Sequence, residues 1–179
     1  MKKIYIITFI MLLINTFGYS QDTIRTYYSE DSLIVKEEYQ VILGTEIYNG
    51  FYKFYHENGQ LIEHREFKEG RIWNVINIYD TIGNLIENKG TLKNGNGTIH
   101  NHFNGYLITI FTYKNGIRHG QYIMFWENGV VRETGNYFED ERCGTWYNYQ
   151  KNGQLPYGHK TVYSIECQKG EPNKDWNIK

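Results

Sequence analysis

The chain contains no alanine, two prolines and two cysteines in 179 residues. Its charges almost cancel, with 19 Lys and Arg against 20 Asp and Glu. Each scarcity excludes something. Without the best helix former, and with abundant Tyr, Ile, Thr and Phe, a helical bundle is excluded. Balanced charge lacks the basic footprint of a nucleic-acid binder. A hydrophobic content of 40% at a net charge of -1 excludes a disordered chain. Long apolar runs are scarce as well, and only one stands out, at the N-terminus. What the chain has instead is aromatics, 17% of all residues, and 18 glycines. Eight of the glycines directly follow an asparagine. Asn-Gly is the strongest short-range signal for a β-hairpin. A chain of this length suits one ordinary domain or a short repeat array.

The one apolar run is Ile4 to Ile14, interrupted only by Thr8, behind Lys2 and Lys3. Small residues Gly18 and Ser20 follow. This is the layout of a secretory signal peptide, residues 1–20, cut before Gln21. The run is too short for a comfortable membrane span, which takes about 20 residues. Cleavage leaves 17 basic and 20 acidic residues, a net charge of -3. That is too little to steer the product towards a charged partner. The sequence therefore predicts an exported protein, periplasmic or at the cell surface, with no transmembrane span after cleavage. Export gives Cys143 and Cys167 a disulfide-permissive setting. They are either bridged or two separate thiols. The repeat described next weighs against a bridge. Equivalent positions in successive hairpins stand about 9.6 Å apart, beyond disulfide reach.

The glycines mark a period. Gly59, Gly83, Gly105, Gly129 and Gly153 are spaced by 24, 22, 24 and 24 residues. All but Gly83 follow an Asn, and each is followed two residues later by Leu or Val. Gly50, Asn74, Gly97, Gly120 and Gly144 open the units. Each unit reads as an aromatic strand, a tight turn on the marker glycine, and a second strand ending in a polar turn. One hairpin cannot stand alone, so successive hairpins complete each other's ladders. The predicted fold is all-β: an antiparallel hairpin meander forming a single twisted sheet, preceded by a signal-peptide helix. Residues 21–49 are predicted to hold degenerate N-terminal strands or a cap, 50–160 five repeats, and 161–179 a last strand and polar tail.

The pattern resembles the MORN-repeat variant of bacterial proteins of the YwqK type: Gly, two aromatics, Asn-Gly-x-Leu, a charged strand with an aromatic, then Gly. The matching stretches are 50–70, 120–137 and 144–155. Stretches 97–116 and 74–95 match less well. The resemblance implies a hairpin array without catalytic residues, and an antitoxin or immunity role in a toxin–antitoxin pair. The export signal departs from a cytoplasmic antitoxin and directs neutralisation outside the inner membrane.

Chemistry is thinly specified. His100 and His102 share a strand face, but a zinc site needs more ligands than two. Glu63, Glu87 and Glu133 each stand four residues after a turn glycine and could form a carboxylate row. Their predicted spacing of about 9.6 Å is marginal for a glycosidase pair. No cofactor or metal is expected. The stronger candidate is the aromatic surplus. Tyr52, Phe54, Tyr122 and Trp126, with Trp146, should share one side of their strands. Phe51, Tyr55, Phe125, Tyr147 and Tyr149 take the other. One sheet cannot bury both sides, so either a bulge shifts the alternation or aromatics remain exposed for a partner. The expected function is a non-enzymatic, exported protein-interaction scaffold. The alternatives are an envelope glycan-binding or structural module, and a hydrolase using the glutamate row.

Overall fold

The structure is a computed structural model that describes residues 20–30, 33–156 and 160–167. The expected signal-peptide helix and the polar tail beyond Cys167 lie outside the described residues.

The described chain is all-β, and every sheet pairing is antiparallel. Strands β1 (Gln21–Tyr27), β2 (Val35–Ile42), β3 (Tyr48–Tyr55), β4 (Leu61–Lys68) and β5 (Arg71–Ile78) pair in sequence order. Strands β6 (Gly97–Phe103), β7 (Tyr106–Lys114), β8 (Ile117–Phe125), β9 (Val131–Phe138), β10 (Glu141–Asn148) and β11 (Lys160–Val162) do the same. The meander is as expected, but it forms two sheets, not a single one. The interruption falls on the unit opened by Asn74, the one whose turn glycine lacks its asparagine.

That unit has lost its second strand yet still bridges the gap. The Leu92 carbonyl accepts the Val75 N–H from β5, while the Thr91 and Leu92 N–H groups donate to Thr98 on β6. Ile86 donates to Ile78, and His100 donates to Lys89. Ile72, Val75 and Ile78 of β5 bury against Leu92 and Ile99 of β6, with Phe67, Ile86 and Tyr113 packed around them. Those three β5 residues recur every third position, a spacing foreign to a strand. Two register shifts between β4 and β5 explain it, leaving Trp73 and Ile76 unopposed. Each bulge returns the next aliphatic to the same face.

Two kinds of turn recur along the array. The marker glycines Gly59, Gly83, Gly129 and Gly153 have positive φ and close on the carbonyls of His56, Asp80, Trp126 and Gln150. The Asn58, Asn128 and Asn152 side chains each accept an N–H two residues on. Where Ile82 replaces that asparagine, Asp80 accepts from Ile82 and Asn84 instead. The other kind puts two residues at positive φ, as at Glu69-Gly70, Asn94-Gly95, Asn115-Gly116 and Glu139-Asp140. Asn104-Gly105 belongs to this second kind.

The second kind also locks each unit to the one before. Gly70, Gly95, Gly116 and Asp140 donate their N–H groups to the carbonyls of Tyr48, Trp73, Gly95 and Arg118. Beside three of these bonds, Asn49, Asn74 and Asn96 accept from Glu69, Asn94 and Asn115. Asparagines at the start of a unit are thus clamps reaching into the following turn.

Cys143 and Cys167 are bridged, with Cα atoms 5.3 Å apart. The repeat-spacing argument fails because Cys167 is not at a repeat position. It belongs to the segment after β11, which folds back on β10. Gly144 donates to Ile165 and accepts from Tyr163.

Candidate functional site

In antiparallel strands, directly opposed residues share a face, so the register assigns the faces of both sheets. In the second sheet Ile99, Phe111, Tyr122 and Gly135 are opposed in series. Trp146 lies over Gly135, where an added Cβ would stand 2.2 Å from the indole. Only glycine leaves room for that ring. Trp146 meets Tyr122 and Tyr137, each at 5.2 Å between centroids. Tyr163, from the stapled segment, closes the far side at 6.1 Å.

Arginines finish this face. Arg142 lies 4.0 Å above Trp146 and Arg118 lies 4.5 Å above Tyr137. Each is held by an acid. Arg142 donates to Glu133 at 2.9 Å, and Arg118 donates to Asp140 at 3.0 Å. Burial works against the Arg142 charge, but hydrogen bonds with Tyr163, Tyr137 and Glu133 more than offset it and hold its pKa above the ordinary value. Burial pushes the Tyr122 hydroxyl up to about 12. Tyr122, Tyr137 and Trp146 are buried, and Trp146 is fully so.

The first sheet carries the same face without the seal. Tyr39 opposes Tyr52, and Gly50 opposes Phe67. Tyr39, Tyr48, Tyr52 and Phe67 form a ring ladder with centroids 5.0 to 6.2 Å apart. All four remain partly exposed, as does Phe54. Tyr48 stacks on Phe67 where, 70 residues on, Arg118 stacks on Tyr137. Among the described residues no cation lies over this ladder. The cation on the face, Arg65, pairs with Glu63 and donates to Asn101 of β6 at 3.0 Å. Burial lowers its pKa. Glu37 accepts the Tyr52 hydroxyl at 2.9 Å and the Thr26 hydroxyl at 3.0 Å. Burial and that bond push the Tyr52 pKa well above its ordinary value. The opposite face is mixed: Arg25, Lys53 and Glu38 form one charged group there, and Lys53 lies over the ring of Phe51, which shares that face with Tyr55.

The expected aromatic site therefore divides. Tyr52 and Phe54 lie on the open face. Tyr122 and Trp146 are core and offer nothing to a partner in the folded chain. Trp126 belongs to neither group. The register shifts between Met124 and Phe125, so alternation does not carry through to it. Its indole N–H donates to Tyr149, and Arg132 and Lys151 lie over its ring at 4.5 and 5.5 Å. Three rings of the ladder fall outside the sequence expectation: Phe67, on the second strand of its unit, and Tyr39 and Tyr48, which precede the first complete unit. The alternation of Tyr39 and Tyr48 with Val41 and Gly50 was the available signal.

The other candidates are not assembled. Glu63 and Glu133 lie in different sheets, each paired with an arginine, and Glu87 is exposed on the connecting segment. His100 is engaged by Asn88 and Thr98, and His102 by the His100 carbonyl. Among the described residues no three His, Cys, Asp or Glu side chains are grouped to hold a metal. None of the described residues forms a helix long and apolar enough to cross a membrane. No family model, curated protein or solved structure matches the chain.

Proposed function

We propose that this chain is an exported, non-enzymatic scaffold that binds another protein through the aromatic face of its first sheet. The observation that carries this is the open ladder of Tyr39, Tyr48, Tyr52, Phe54 and Phe67. Tyrosines offer large contact area at low entropic cost, which suits recognition. The layout of residues 1–20 supports export, and the Cys143–Cys167 bridge is at home in an oxidising compartment. The hairpin period and its Asn-Gly turns support membership among MORN-variant repeat proteins of the YwqK type. On that membership the partner is a toxin, and the chain is the antitoxin or immunity component acting outside the inner membrane. Its mechanism is occlusion of the partner's surface by the sheet. The test is capture of envelope proteins on immobilised residues 21–179. Tyr39→Ser together with Tyr52→Ser should abolish capture with the β-sheet circular dichroism unchanged. Undiminished capture removes this face from consideration.

A further inference from the structure

We infer that the tyrosine face of the first sheet receives an arginine side chain from its protein partner, with Glu37 as the counter-charge. This rests on the scaffold reading and gives the chemistry of the same face. The pattern is drawn by the molecule itself. In the second sheet each finished position is a ring with a guanidinium above it and a carboxylate beside it: Tyr137, Arg118 and Asp140, then Trp146, Arg142 and Glu133. The first sheet has the rings and the carboxylate, but among the described residues no guanidinium lies over them.

Charge on the face points the same way. The register places Asp22, Glu37 and Glu63 on it, against one cation among the described residues, Arg65. Arg65 is already paired with Glu63 and bonded to Asn101, and among the described residues no ion pair reaches Asp22 or Glu37. Glu37 accepts one hydroxyl on each oxygen. A carboxylate has about four lone-pair sites, so it retains capacity for a forked donor. Beside it lie Tyr39 and Tyr52, stacked at 6.2 Å with 28° between planes. A planar guanidinium can stack on such rings while pairing with the acid, which a compact ammonium does less well.

The test is calorimetric titration of residues 21–179, disulfide intact, with hexa-arginine at low ionic strength. Hexa-arginine should bind, hexa-lysine several-fold more weakly, and hexa-glutamate not at all. Glu37→Gln and Tyr39→Ser should each weaken hexa-arginine about tenfold, as for the loss of one charge-assisted contact. Glu87→Gln removes the same charge from the exposed connecting segment and should change nothing. Hexa-arginine binding no tighter than hexa-glutamate overturns the inference. So does a Glu37→Gln variant that binds no more weakly than Glu87→Gln, whatever Tyr39→Ser does to folding. If arginine chemistry fails while Tyr39→Ser with Tyr52→Ser still abolishes envelope capture, the scaffold stands and only its partner's chemistry is wrong.

Discussion

The two sheets are built from the same unit and finished differently. In the second, Trp146 seats on Gly135, two arginines lie over the rings, and a disulfide-stapled segment brings Tyr163 against the indole. In the first, the aromatic ladder has, among the described residues, no tryptophan, no staple and no cation above it. Its buried residues are Val41 and three aliphatics of β5 at the junction. The difference teaches that a repeat supplies hairpins, while its departures decide which face becomes core and which stays open. One half is a foundation, and the other is a surface.

This contrast can be broken most severely at Trp146. Trp146→Ala should destabilise the protein by about 3–5 kcal/mol, as for other large-to-small changes in cores. Denaturant unfolding measures it. A loss comparable to that of an exposed residue would show that the second face is not sealed. Removing the bridge with Cys143→Ser and Cys167→Ser should cost about 3 kcal/mol for a closed loop of this size. Near-UV dichroism should weaken with it as Tyr163 leaves Trp146. Gly135→Ala should cost about 1–3 kcal/mol through overpacking against the indole. On the open side, Tyr39→Ser should cost less than any of these in stability, because the ring is partly exposed already.

The smallest effect is in pH. Burial lowers the pKa values of His64, His100 and His102, helped at His64 by Lys53 and at His100 by His102. The folded state therefore holds fewer protons on them than the unfolded state. Stability is fully present above the unfolded histidine value of about 6.5 and declines as the pH falls towards the lowered folded values. The melting temperature should drop modestly between pH 7 and 5. Replacing the three histidines by Asn should flatten that drop.

Much of this was legible in the chain. The Asn-Gly pairs and their period announced hairpins in order, because an asparagine–glycine turn carries its own geometry. The break between sheets was half-visible at Gly83, whose missing asparagine marks the irregular unit. Other features were hidden for physical reasons. The bulges at Trp73 and Ile76 turn a period of three into a buried strand, and no local signal distinguishes that from a helical stripe. The bridge is hidden because the 24 residues from Cys143 to Cys167 match the repeat period, whereas Cys167 belongs to a returning segment. Alternation alone places Trp146 with the partner-facing aromatics, whereas it is fully buried. Its burial depends on Gly135, which it covers where the β9–β10 register shifts, a contact that strand alternation does not show.

The central claim is that one aromatic face is open and the other closed. Hydroxyl-radical footprinting of the folded, oxidised protein, read residue by residue by mass spectrometry, tests it directly. Tyr39, Tyr48 and Tyr52 should be modified readily, while Tyr122, Tyr137 and Trp146 should be protected until the protein unfolds. Equal modification of the two sets would contradict the account.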